Sequence, residues 1–159
     1  MYLPGDTDTI AAISTPSGRG GIAVIRVSGG QSLNVVRQIA PFLPEKIESH
    51  RVYFGVLRNS EYPQGLDEVL LTYFANGKSY TGEQTVELSC HGSDFVAKTI
   101  LKLLMGAGAR LAEKGEFTYR AFCNGKLDLV QAEAVLNLIE SQSEQAAALA
   151  FRQLKGGLS

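Results

Sequence analysis

The sequence predicts an α+β fold: a β-sheet with flanking helices over residues 1–115, followed by the start of an α-helical domain over residues 116–159. Three observations predict it. Short β-branched and apolar runs recur between clusters of Gly, Pro, Asn and Ser, as strands require. Two stretches among them carry apolar residues at helical spacing instead. Beyond Gly115 the strand signal nearly vanishes and only helical periodicity remains.

Residues 9–14 (TIAAIS) and 22–28 (IAVIRVS) read as two strands joined by the turn-forming PSGRGG. GGQSLNVVRQIAPFLP then places Leu33, Val36 and Ile39 or Ala40 at helical intervals, with glycines before and prolines after, which predicts a short helix packed on the strands. HRVYFGVLR (50–58) and DEVLLTYFA (67–75) flank the turn-rich NSEYPQG and read as a hairpin, and QTVELSCHG (84–92) is a further strand. SDFVAKTILKLLMGAG is an amphipathic helix with Ser93 as N-cap and Gly106 as its stop, and ARLAE closes the domain as a short strand. After Gly115, Asp128 caps a helix with Gln131 completing a capping box. The apolar positions Leu129, Ala132, Leu136, Ile139, Ala146 and Ala150 carry that helix over about 25 residues, or roughly 37 Å at the α-helical rise. Either a second helical domain or a partner chain must cover such a length, since a 115-residue domain has a radius of gyration of only about 13 Å.

Composition narrows the function classes. With 45% hydrophobic residues the chain can build a real core, and no run approaches the roughly 18 apolar residues of a membrane span. The opening MYLPGDTDT has neither the basic start nor the apolar run of a secretory signal, so a cytoplasmic location is the expectation. Two cysteines, Cys90 and Cys123, and two histidines, His50 and His91, form no disulfide framework and no metal-site spacing. Fifteen basic and sixteen acidic residues leave a net charge of −1 without a basic block, which argues against tight nucleic-acid binding by these residues alone.

Three groups of residues carry possible chemistry. Gly18, Gly20 and Ala23 match the loose form of a dinucleotide fingerprint, but the loop opens into the strand IAVIRV rather than the helix that would receive a pyrophosphate. The glycines therefore read as a strand-to-strand turn with Arg19 at its tip, and no GxxxxGK(S/T) loop occurs in the chain. Arg26 is the second anomaly, a charge in a strand whose neighbours look buried on both faces. Strand alternation puts Glu87, Ser89 and His91 on one face and Val86, Leu88 and Cys90 on the other, making Glu87 the counterpart of Arg26. The two form either a structural ion pair or the polar end of a ligand pocket. In the third group, GEFTYRAFCNGK, Glu116 and Arg120 read as an ordinary surface pair at i,i+4 and Lys126 as a solvated lysine after a glycine turn. Cys90 and Cys123 read as small buried hydrophobes, and His91 either donates to a ligand or satisfies its turn. No acid or base constellation emerges.

The segments DTIAAISTPSGRGGIAVIRVSG, SYTGEQTVELSCHGS and GEFTYRAFCNGKLDLVQAEAVLNLIESQSEQA, in that order, resemble the N-terminal region of the MnmE (TrmE) family of tRNA-modification GTPases, over most of the chain. The resemblance implies a mixed β-sheet similar to the folate-binding domain of glycine-cleavage aminomethyltransferases. It implies a 5-formyl- or 5,10-methylene-tetrahydrofolate one-carbon donor, a homodimer, and work with MnmG on the wobble uridine of tRNA through the full complex. The family's folate-contacting arginine, glutamate and lysine fall on Arg26 in VIRVSG, Glu87 in TVELSCHG and Lys126 in NGKLDL. GTP, with Mg and K ions, belongs in the family to an inserted GTPase domain; that domain and a C-terminal cysteine motif both lie beyond residue 159. By that resemblance the chain is a fragment or truncated form, not catalytic alone, whose partner is the remainder of the same protein. A structural dimerisation and docking module without a ligand of its own is the alternative.

Overall fold

A computed structural model describes residues 8–156, so most of the opening stretch read for a secretory signal, and the final GLS, lie outside the described residues. The chain divides into two compact units, a larger one of residues 8–79 and 83–112 and a smaller one of residues 80–82 and 113–156.

The larger unit is a six-stranded sheet in the order β3-β4-β5-β2-β1-β6 with two helices. Its elements are β1 (Ile10–Ile13), β2 (Ile22–Ser28), α1 (Ser32–Arg37), β3 (Arg51–Leu57), β4 (Asp67–Phe74), β5 (Thr85–His91), α2 (Asp94–Gly106) and β6 (Arg110–Leu111). All strand pairs are antiparallel except β1 with β6, so the sheet is mixed. Alternation sorts its two faces. Ala23, Ile25 and Val27 of β2, Val86, Leu88 and Cys90 of β5, and Val69 and Leu71 of β4 point to one side and pack with Val35 and Val36 of α1 and Ala97, Ile100 and Leu104 of α2. Fully burying a side chain such as Ile25 or Leu88 contributes about 1.5–3 kcal/mol, which is what holds the helices on that face.

The helix signals work as read at their starts. The Ser93 side chain accepts from the Val96 N–H at 3.4 Å and caps α2. At the other end Gly106 is still helical, and the chain leaves the helix through Ala107 and Gly108, whose φ of +123° is open to glycine.

The smaller unit holds α3 (Glu116–Cys123), α4 (Leu129–Glu140) and α5 (Glu144–Gly156). Asp128 and Gln131 form the expected capping box at the start of α4. The single long helix is corrected: it breaks after Glu140, where Ser141 turns extended with its hydroxyl donating to the Leu138 carbonyl. Ser143 then starts a second helix by accepting from the Ala146 N–H at 3.1 Å. The Gln131 side chain, near the start of α4, donates to the Leu154 carbonyl near the end of α5, so the two helices run antiparallel as a hairpin. Serine side chains compete for backbone groups and so supply a stop and a start without Gly or Pro.

Candidate functional site

The open face of the sheet is built from the residues that alternate with the core. Reading across the registers, one row runs Ala12, Arg26, Glu87, Thr72 and Val52, and the next runs Val24, Ser89, Leu70 and Phe54. Arg26 and Glu87 are thus direct cross-strand partners, with Nε donating to Oε2 at 3.0 Å. Their side chains are 24% and 29% exposed. The expectation that β2 is buried on both faces is therefore corrected: only the Ala23, Ile25 and Val27 face is sealed, while Val24 and Arg26 are half-buried and Ile22 is exposed. The apolar run in the sequence hid this because Ile22 and Val24 look like core residues. The pair is reachable from solvent and flanked by the exposed apolar side chains of Val52, Phe54 and Leu70.

At the far end of β5 on the same face, His91 is held by Asp67. The Asp67 carboxylate accepts the His91 backbone N–H at 2.9 Å and lies 2.7 Å from Nδ1, with its own side chain 10% exposed. His91 thereby satisfies its strand end. Cys90, on the core face, is buried, and burial followed by the charge of Asp67 pushes its thiol above the ordinary value. Cys123 is only half-buried, which corrects its reading as a core residue, and its hydrogen bond to Tyr119 pushes that phenol up.

The glycine turn is tied to its neighbours and leads into β2 rather than opening a helix that would receive a phosphate. Gly20 N–H donates to the Gly92 carbonyl at 3.2 Å and Gly92 N–H to the Gly21 carbonyl at 3.3 Å, while Gly18 N–H is taken by the Asp94 carboxylate at 3.1 Å. Arg19 stands exposed beside a cavity of about 370 Å³ bordered by Pro16, Asp94 and Lys98. A second cavity, of about 730 Å³, lies along α2 between Phe95, Lys102, Gln38 and Tyr62. Neither is lined by Arg26 or Glu87.

Lys126 belongs to the smaller unit, in the exposed turn after α3. In that unit Glu116 and Arg120 are buried, at 7% and 0% exposure with Oε2 and Nη2 3.3 Å apart, so the surface reading of this pair is corrected. A further buried carboxylate went unread in the sequence: Glu83, 8% exposed, accepts from the fully buried Ser28 hydroxyl at 2.8 Å. Its only sequence signal is its place after a glycine and two residues before β5. Among the described residues no group of three or more His, Cys, Asp or Glu residues is placed to hold a metal ion, and no helix is long and apolar enough to cross a membrane.

Comparison with known proteins places these features in a family context. The family model described as the GTP-binding protein TrmE N-terminus matches residues 9–126. A tRNA modification GTPase MnmE of Bdellovibrio bacteriovorus is 65% identical over 97% of this chain and 32% of its own length. Proteins of the same name from Protochlamydia amoebophila and Lactiplantibacillus plantarum are 47% and 48% identical over 99% and 100% of the chain and 34% and 35% of their own lengths. The chain spans about a third of the length of the curated relatives it matches.

Proposed function

The chain belongs to the TrmE N-terminal family, and from that membership we propose that it is the tetrahydrofolate-binding and homodimerisation portion of a GTPase that modifies the wobble uridine of tRNA together with MnmG. Its sheet is proposed to be related to the folate-binding domain of aminomethyltransferases, and its place of action is the cytoplasm. GTP binding and hydrolysis, with the ions they need, are assigned to the rest of the protein, because these residues contain no GxxxxGK(S/T) loop.

The single observation that carries the folate reading is the Arg26–Glu87 pair, a guanidinium and a carboxylate aligned on an uncovered sheet face and left about a quarter exposed. The pair fits the ligand. A pterin offers an amino group and a ring N–H that a carboxylate such as Glu87 accepts, and the folate tail and one-carbon carbonyl suit cationic donors such as Arg26 and Lys126. The one-carbon chemistry is the cofactor's own; these residues bind and orient it. Calorimetric titration of the 159-residue chain with 5-formyltetrahydrofolate tests the reading. Heat of binding that is lost in Arg26→Ala supports it, and a folded chain that takes up no folate overturns it.

A second reading, a dimerisation and docking module without a ligand, draws on the same pair, because Arg26 and Glu87 already satisfy one another at 3.0 Å. A pair that still meets water in this way contributes on the order of 1 kcal/mol. The readings separate cleanly: in the second, Arg26→Ala lowers stability slightly and folate leaves the melting temperature where it was.

A further inference from the structure

We propose that Gly82 and Asn124 are positioning residues for Lys126, seating its side chain for an anionic group of the ligand. The inference rests on the reading of Lys126 as a folate-binding residue and deepens it. All the contacts that carry it lie within the smaller unit.

The sequence NGK is a helix stop with a defined geometry. Asn124 is the C-cap of α3, Gly125 follows with φ of +73°, Gly125 N–H donates to the Phe122 carbonyl at 3.1 Å, and Lys126 N–H donates to the Ala121 carbonyl at 2.9 Å. These are the two bonds of a Schellman termination, and they fix the backbone of Lys126 relative to α3.

The side chain is seated by a different segment. Gly82 has φ of +83°, and a Cβ placed there would stand 2.9 Å from the Asn124 Cβ and 3.2 Å from the Lys126 Cγ. The backbone at residue 82 therefore lies against the stem of the lysine, an approach only glycine permits. Two hydrogen bonds hold the segment in place: Asn124 Nδ2 donates to the Thr81 carbonyl at 2.9 Å, and the Tyr80 and Thr118 hydroxyls are 2.9 Å apart. Thr81 is fully buried.

A lysine stem has several rotatable bonds whose freedom a ligand must otherwise suppress on binding. Seating its Cγ against a fixed backbone removes part of that freedom beforehand, as preorganised sites do.

The test uses the 159-residue chain, 5-formyltetrahydrofolate titration, and the acylation rate of Lys126 read by peptide mass spectrometry. Gly82→Asn keeps a residue that tolerates positive φ while adding the Cβ, and Asn124→Asp keeps the shape while removing the donor. Each is made with Lys126 present and in Lys126→Ala, with circular dichroism confirming the fold. We expect each to weaken folate binding about tenfold and to change the Lys126 acylation rate, and to cost nothing further once Lys126 is alanine. Equal losses in both backgrounds, or unchanged affinity and acylation in both variants, overturn the proposal. Should Lys126→Ala bind folate as tightly as the unaltered chain, the reading of Lys126 as a folate contact falls while that of Arg26 and Glu87 stands; a changed acylation rate then still upholds the seating, and an unchanged one overturns it. If Gly82→Asn does not fold, Asn124→Asp decides.

Discussion

Arg120 is fully buried one helical turn from Glu116, itself 7% exposed. Removing the arginine alone leaves a buried carboxylate without its guanidinium, and breaking such a pair costs about 3–5 kcal/mol. Arg120→Ala is therefore expected to lower the urea midpoint of the chain sharply, whereas Glu116→Leu combined with Arg120→Met, which removes both charges and keeps the volume, recovers most of the loss. Equilibrium urea unfolding of the three chains checks this, and a mild effect of Arg120→Ala refutes it. The spacing of Glu116 and Arg120 was legible, but spacing tells only which side chains share a helix face and not whether that face meets water. Arg26 is the converse case. Its partner Glu87 follows from alternation alone, yet its exposure does not, because the apolar Ile22 and Val24 beside it lie on the open face.

Cys90 gives a pH signature at the same scale. Its thiol holds the proton more tightly in the fold than in the unfolded chain, because burial and the Asp67 charge disfavour the thiolate. A proton bound more tightly in the fold stabilises the fold below the unfolded pKa, and the contribution is lost as pH climbs through the folded value. The stability advantage of the unaltered chain over Cys90→Ala is thus expected to shrink between neutral pH and the alkaline side of the ordinary thiol range. Urea midpoints at the two pH values measure it, and an advantage that grows with pH contradicts the assignment.

At the scale of elements, the strand limits were legible because each run of branched and aromatic residues ends in turn chemistry; β2 covers the IAVIRVS stretch as read. The ends joined by non-local backbone pairing were not. Gly92 looks like a simple strand end in SCHGS, but a Cβ there would collide with the Gly20 carbonyl, so glycine is what lets β5 close against the PSGRGG turn. Because the obstructing atom is backbone, Gly92→Ala is expected to cost about 1–3 kcal/mol and to unpin the turn, seen as faster amide exchange at Gly20. Exchange and stability both unchanged rule this out. The α4–α5 break was illegible for a related reason: the periodic apolar positions continue across Ser141, and only the serine side chains, bonding back to local backbone groups, mark the turn.

At the scale of the molecule, each unit leaves apolar surface uncovered: Val52, Phe54 and Leu70 on the sheet, and Leu136, Ile139, Leu149 and Phe151 on the helical hairpin. Apolar side chains grouped on one face, when the patch exceeds a few hundred Å², mark an interaction surface more often than bare monomer surface. On the sheet the patch lies over β3, an edge strand, and β4, with Val52 at the end of the Arg26–Glu87 row and Phe54 and Leu70 in the row beside it. A two-fold partner presenting the same patch would bury it against itself, as isologous interfaces do. The proposed homodimer is therefore expected to depend on this face. Light scattering during gel filtration should return twice the mass of one chain for the unaltered protein and a shift toward one mass for Phe54→Lys, with the circular dichroism spectrum unchanged, since Phe54 is 64% exposed and its loss removes little from the core. A chain that runs as a monomer at tens of micromolar sinks the homodimer for this portion of the protein, and a dimer indifferent to Phe54→Lys moves the interface to another surface. Folate titration of the same Phe54→Lys chain then shows whether the face beside Arg26 and Glu87 serves ligand binding independently of pairing: an unchanged affinity makes the site complete within one chain, and a lost affinity makes dimerisation a condition for it.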